Sequence, residues 1–230
     1  MALSHGPGVI TDGLVLCLDA ADSNSYPGPP SPIASWYDLS GNSNNGTLTN
    51  GPTYDSSNGG SIVFDGSNDY TDFFAPNLGT TATVEMWVRL GSGYSGGMFM
   101  GWLYYDVYCP SGFIGYNTGN SDCYGISNTV VNNLGLVNNW AHYVFEMRSD
   151  VAYTNNKIYI NGVNQSLSQL LSSEAPGLRN FNNGFGRISG WRDGGYVISM
   201  NCSSFKVYNR ALTAAEVQQN FNALRGRFGI

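Results

Sequence analysis

The chain is predicted to be all-β, a single sandwich or barrel, on three observations. Charged residues make up only 11% of the 230 positions, under half the roughly 25% of an ordinary soluble domain. The gap is filled by 30 Gly, 26 Asn and 25 Ser, a composition that starves bundles and coiled coils of Ala, Glu, Lys and Leu. Short β-branched and aromatic runs recur between clusters of these turn formers. The length suits one sandwich or barrel of about 200–250 residues.

The predicted strands, in order, are 14–19, 61–65, 81–90, 98–105, 140–147, 157–160, 185–188, 196–201 and 205–208. The segment Tyr26-Pro-Gly-Pro-Pro-Ser-Pro32 is stiff and polyproline-like and cannot lie inside a sheet. Asn161-Gly162 is a strong hairpin signal after the run at 157–160. Alternation assigns Val84, Met86, Val88 and Leu90 to the core and Glu85, Trp87 and Arg89 to the opposite face. By the same rule Tyr143, Phe145 and Met147 oppose Trp140, His142, Val144 and Glu146. Aromatics on both faces imply an outer sheet surface that is covered or used for binding.

One helix is predicted near the C-terminus. Thr213 is its N-cap, Glu216 completes a capping box, and Leu212 and Val217 take the hydrophobic-staple positions. Val217, Phe221 and Leu224 form an apolar stripe that docks the helix on the sandwich, and Gly226 is the expected stop.

A net charge of −6 with only 10 Lys+Arg gives no electrostatic footprint for nucleic acid or an anionic membrane. Aromatics at 13% argue against disorder. The N-terminus has no basic n-region, and its apolar stretch at 14–18 is too short for a signal core, so synthesis in a cytoplasm without a signal peptide is expected. The longest apolar run, at 98–105, is far below the roughly 20 residues of a membrane span. Cys17, Cys109, Cys123 and Cys202 are expected as free thiols, with Cys109–Cys123 the better pair should a bridge form. Zinc is disfavoured, because no C-x-x-C spacing exists and only His5 and His142 could assist. The whole chain, 1–230, reads as one domain with its core at about 13–225.

Several segments, in order, resemble laminin G-like domains of the concanavalin A-like superfamily. They include Gly13-Leu-Val-Leu-Cys-Leu-Asp-Ala-Ala21, Trp36-Tyr-Asp-Leu-Ser-Gly-Asn42, Gly60-Ser-Ile-Val-Phe-Asp-Gly66, Thr83-Val-Glu-Met-Trp-Val88, Ile158-Tyr-Ile-Asn-Gly162 and Lys206-Val-Tyr-Asn-Arg-Ala-Leu-Thr-Ala-Ala-Glu-Val217. The resemblance implies a two-sheet antiparallel jelly roll with one short C-terminal helix, used for glycan binding or adhesion or as an accessory domain of enzymes. The single-domain form and the Asn209–Glu216 ending also look like virion proteins of tailed bacteriophages. That implies a capsid decoration or appendage protein on the virion surface. Its partners would be other virion proteins, host-surface glycan and further copies of itself. The alternative is a bacterial carbohydrate-binding module without a virion role.

The candidate sites follow. In similar domains the loop at 38–46 lies near a structural calcium, so Asp38, Asn42 and Asn45 are the candidate ligands. The positions matching the family's second acidic contribution are Ser203 and Ser204. The competing reading is a turn whose Asp and Asn bond their own backbone. Gly93-Tyr-Ser-Gly-Gly97 matches G-x-S-x-G around Ser95, but a β-like run follows where a nucleophile elbow needs a helix. Glycosidases need two closely spaced carboxylates, and the four Glu fall on separate elements, with Glu85 and Glu146 able to face each other only across strands. The chain is therefore read as a non-enzyme. Sugar rings stack their C–H faces on aromatics, and the candidate glycan residues are Trp102, Tyr104, Asp106, Tyr116, Trp191 and Asp193. No cofactor is required by this reading.

Overall fold

The computed structural model describes residues 8–28, 34–175, 177 and 179–230, so His5 and most of the proline-rich stretch lie outside the described residues. The described strands are β1 (Leu14–Asp19), β2 (Ser35–Trp36), β3 (Gly46–Thr49), β4 (Thr53–Asp55), β5 (Ser61–Asp65), β6 (Tyr70–Phe74), β7 (Thr81–Leu90), β8 (Met98–Trp102) and β9 (Tyr105–Tyr108). They continue with β10 (Ile114–Asn117), β11 (Cys123–Ile126), β12 (Trp140–Arg148), β13 (Lys157–Ile160), β14 (Val163–Asn164), β15 (Ser168–Leu171), β16 (Phe185–Ile188) and β17 (Ser199–Tyr208). Two helices accompany them, α1 (Asn128–Asn133) and α2 (Ala214–Phe228).

The strands form two antiparallel sheets. One has eight strands in the order β14-β13-β12-β7-β17-β5-β4, with β1 pairing β17 beside β5. The other has nine, in the order β15-β11-β10-β9-β8-β16-β6-β3-β2. Between the sheets lies one apolar core containing Val84, Met86, Val88, Leu90, Tyr143, Phe145 and Met147, as alternation requires. The runs at 196–201 and 205–208 are one strand, β17, which carries a register shift between Cys202 and Ser204. That irregularity breaks the period-two pattern and makes the strand look like two.

Asn161 and Gly162 both adopt positive φ, 50° and 80°, in the turn that pairs Ile160 with Val163. This is the tight hairpin their sequence announces. All four cysteines are free and buried. Burial pushes the Cys17 thiol up to about 11 and that of Cys123 to about 12, which suppresses thiolate chemistry. Among the described residues no helix is long and apolar enough to cross a membrane.

Helix α2 covers the outer face of the eight-stranded sheet. Phe228 stacks on Trp87 with ring centroids 4.2 Å apart, Phe221 lies at 5.9 Å, and Val217 packs with Val144 and Tyr208. The helix runs beyond Gly226 and stops at Gly229, which takes the left-handed conformation at φ 74°. Docking of Phe228 carries it through the internal glycine. Its capping box is intact: Thr213 Oγ1 accepts from the Glu216 N–H, and a Glu216 carboxylate oxygen accepts from the Thr213 N–H at 2.8 Å. Thr213→Ala is expected to cost about 1 kcal/mol in urea unfolding. Helix α1 has no counterpart in the sequence reading; it is six residues long and buries only Val131.

Candidate functional site

The run at 98–105 folds as a tight hairpin, β8–β9, and the break resets the parity of its side chains. Trp102 pairs with Tyr105 and Gly101 with Asp106, and residues directly opposite share a face. Trp102, Tyr105 and Val107 therefore enter the core, while Asp106 and Tyr108 take the outer face of the nine-stranded sheet. Gly101 is required here, because a Cβ at that position would lie 2.1 Å from the Asp106 Cβ. On neighbouring β10, Tyr116 points inward and Asn117, opposite Asp106, points outward.

Three loops close around this outer patch: the turn at 103–104, the segment 118–122, and the loop 191–197. They enclose a cavity of about 270 Å³ lined by Met98, Tyr104, Tyr108, Asn117, Trp191 and Tyr196, with Gly119 and Ser121 at its edge. Tyr196 stands edge-on to Tyr108 at 5.6 Å and to Trp191 at 6.4 Å. Tyr104 is 38% exposed and Tyr196 50%, so their rings are open to a ligand. The Trp191 indole N–H donates to the Leu103 carbonyl at 2.8 Å, which pins the loop to the hairpin. Tyr196 holds φ 53°, a strained conformation for a bulky residue, with its carbonyl accepting from the Met98 N–H at 2.8 Å.

Of the six residues expected to meet glycan, Tyr104 and Trp191 reach this cleft. Asp106 lies within the sheet face beside Asn117, fully buried. Trp102 is core, edge-on to Phe73 at 5.9 Å and Phe181 at 4.9 Å, and cannot stack on a ligand. Tyr116 is also core; its hydroxyl reaches across the sandwich to the carbonyls of Glu146 and Lys157 at 3.0 and 2.6 Å. Both corrections share a cause, since large aromatics gain most by burial. Asp193 is exposed and lines a separate polar cavity of about 500 Å³ on the far side of the loop. Sequence reasoning missed Tyr108 and Tyr196 as ligand-facing rings. Tyr108 becomes legible once the hairpin break is known, and Tyr196 carries the signal of an aromatic directly after Gly194-Gly195.

Burial raises the Asp106 carboxyl well above the ordinary carboxylate range. The Asn117 amide donates to its two oxygens at 3.2 and 3.0 Å, while Asn117 Oδ1 has no partner. A raised folded-state value means this carboxyl stabilises least where it must ionise, so its contribution falls as pH rises above about 4. Asp106→Asn offers a donor for Asn117 Oδ1 and removes the ionisation that burial opposes. We expect it to stabilise the fold by roughly 1–3 kcal/mol at pH 7, with the gain vanishing near pH 4 in paired urea melts.

The calcium expectation fails on donor geometry. Asp38 Oδ1 accepts from the Cys17 and Ser40 N–H groups at 2.8 and 2.9 Å, and Oδ2 from Ser40 Oγ and the Asn44 N–H at 2.7 and 3.0 Å. Asn45 Oδ1 accepts from the Asp38 N–H, and the Asn42 amide donates to the Val15 carbonyl. Asp38, Asn42 and Asn45 thus serve backbone groups of the loop and of β1, and Ser203 is bound to the Gly60 carbonyl. Among the described residues no group of three or more His, Cys, Asp or Glu is placed to hold a metal.

Ser95 lies in an exposed turn leading into β8, not in a strand–elbow–helix. Glu85 sits opposite Val144 and Glu146 opposite Thr83, and each is engaged by a lysine, Lys206 at 2.9 Å and Lys157 at 3.1 Å. Glu85 is sealed beneath α2 with His142 and Asn220.

The sequence profile described as the concanavalin A-like lectin/glucanases superfamily matches residues 65–218, more than half of the chain. The chain belongs to this superfamily. No curated protein sequence matches it. Among solved structures, this superfamily member is similar to a botulinum neurotoxin type C structure described by cell entry dependent on two ganglioside molecules. There the TM-score is 0.66 at 15% identity, covering 94% of this chain and 52% of that one. The binding domain of botulinum neurotoxin DC in complex with rat synaptotagmin II gives 0.65 at 14%, covering 94% and 52%. Trypanosoma rangeli sialidase in complex with the inhibitor DANA gives 0.60 at 15%, covering 94% and 33%. The chain spans about half the length of the toxin binding domains, and these likenesses establish the shared fold.

Proposed function

We propose that this superfamily member is a non-catalytic, lectin-like module that binds glycan in the aromatic cleft. One observation carries the reading: Tyr104, Tyr108, Trp191 and Tyr196 gather around a single cavity on the outer face of the nine-stranded sheet. Partly exposed rings at that density are costly to leave in water and suited to the C–H faces of sugars, with Asn117 and Ser121 placed for hydroxyls. The ganglioside interaction named for the neurotoxin type C neighbour is of the same ligand class. Absence of catalysis is supported by the lysine engagement of Glu85 and Glu146.

The test is a glycan array probed with the purified chain. Binding should appear and should fall at least tenfold in Trp191→Ala while the melting transition stays cooperative. An array silent for the wild type, or a signal indifferent to Trp191→Ala, removes the cleft as the site.

We further place the module on the surface of a tailed-phage particle, held by other virion proteins, as the likeness of its Asn209–Glu216 ending to virion proteins suggests. Copurification with assembled particles at fixed stoichiometry is the expected result. Recovery only as free protein leaves a carbohydrate-binding module without a virion role.

A further inference from the structure

We infer that the polar cavity behind the loop 191–197 receives the acidic group of a carboxylate-bearing sugar, with Arg192 as its cation. The inference rests on the glycan reading of the neighbouring cleft and names the class of sugar. The two cavities share one wall. Trp191 and Tyr196 face the aromatic cleft, whereas Arg192, Gly194 and Gly195 between them line the polar cavity. The wall is rigidly tied, because the Trp191 N–H donates to the Gly195 carbonyl and the Gly194 N–H to the Trp191 carbonyl, both at 2.9 Å.

Arg192 is set apart from the other cations. Eight of the ten basic residues lie within 4.0 Å of a carboxylate. Arg225 is exposed on α2, 5.7 Å from the Phe221 ring centroid. Arg192 alone among the described residues is partly buried without a carboxylate partner, and its Nε is buried with no hydrogen-bond partner at all. A desolvated guanidinium N–H left unpaired is costly, and the fork geometry of the group matches a carboxylate.

The rest of the cavity agrees with this occupant. Asn50, Ser67 and Asn68 bring uncharged hydrogen-bonding side chains. Arg187 shares the lining, but its charge is met by Asp72 at 2.8 Å, its Nη1 donates to the Trp191 carbonyl, and it lies 3.6 Å above the Tyr70 ring. Asp193 is the one carboxylate on the rim; it is solvent-exposed and outside ion-pair reach of Arg192, so water and salt weaken its opposition. Added Cβ atoms at Gly194 and Gly195 would meet nothing within 4 Å, which leaves that stretch of backbone open to an incoming ring.

The experiment compares 3′-sialyllactose with lactose and glucuronic acid with glucose, by titration followed in NMR spectra, with acetate and inorganic sulfate as free-anion arms. In the wild type each acidic sugar should bind at least about tenfold tighter than its neutral counterpart. Arg192→Gln should erase that preference and leave neutral-sugar affinity in place, while Trp191→Ala should weaken both members of each pair. An acidic preference that survives Arg192→Gln, or that is absent in the wild type while neutral sugars bind, overturns the acidic subsite and spares the glycan reading. Acetate and sulfate binding as tightly as the acidic sugars, and unaffected by Trp191→Ala, overturns the assignment to a sugar. No binding of any sugar overturns both.

Discussion

Lys206→Met is expected to destabilise the fold by about 3–5 kcal/mol, because it strands a buried carboxylate. Lys206 and Glu85 are both buried at the interface of β17, β7 and α2, with Nζ 2.9 Å from Oε1. The Asn220 side chain donates to the other Glu85 oxygen, and Lys206 also donates to Ser204 Oγ at 3.0 Å. His142 Nε2 lies 3.4 Å from Glu85 Oε1 without making a hydrogen bond. Burial by itself would raise the Glu85 carboxyl, but Lys206, followed by His142, outweighs it and holds the group below the ordinary carboxylate range. A depressed folded-state value gives stability that is present above about pH 4.3 and is lost as pH falls below it. In Lys206→Met burial is unopposed by the lysine, so the sign reverses and acidification from neutral pH should relieve part of the loss. Urea melts from pH 7 to pH 4 check this, and Glu85→Gln/Lys206→Met should recover most of the stability. A single variant as stable as wild type at pH 7 would show that the ion pair is not what holds this cluster.

Tyr196→Gly separates binding from folding. The residue occupies the left-handed region at φ 53° and is half exposed, so its ring adds little to packing while its backbone carries strain. Glycine adopts that conformation freely and keeps the carbonyl that accepts from the Met98 N–H. The variant should be unchanged in stability or gain up to about 1 kcal/mol, yet lose tenfold or more in glycan affinity. Stability that falls by more than 1 kcal/mol would mean the ring is a structural prop, and the cleft would lose its best candidate platform.

Periodicity made eight of the seventeen described strands legible: β1, β5, β7, β8, β12, β13, β16 and β17. β7 shows why: its core residues alternate without interruption, and the partner strands β12 and β17 impose no shift along most of its length. The Asn161-Gly162 turn was legible for a local reason, since both residues tolerate positive φ. The β8–β9 turn was silent because Leu103-Tyr104 carries no Gly, Pro, Asn or Asp and neither residue has positive φ. Alternation along an unbroken run at 98–105 places Trp102 and Tyr104 on one face, whereas the fold sends Trp102 into the core. The calcium loop misled for a different reason. Asp and Asn bring the same oxygens to a cation or to backbone N–H groups, and only the direction of those N–H groups distinguishes the two. Arg192 could not be singled out in sequence at all, because its distinction lies in the partners that the other cations acquire on folding.

The helix laid over Trp87 gives the molecule a back and a front. With α2 occupying the outside of one sheet and the aromatic cleft opening on the outside of the other, attachment and recognition need not compete for area. A fluorophore or surface tether introduced at exposed Asn222 on α2 would leave the cleft facing outward. Orientation, which usually has to be engineered into a sensor, is already built into this sandwich.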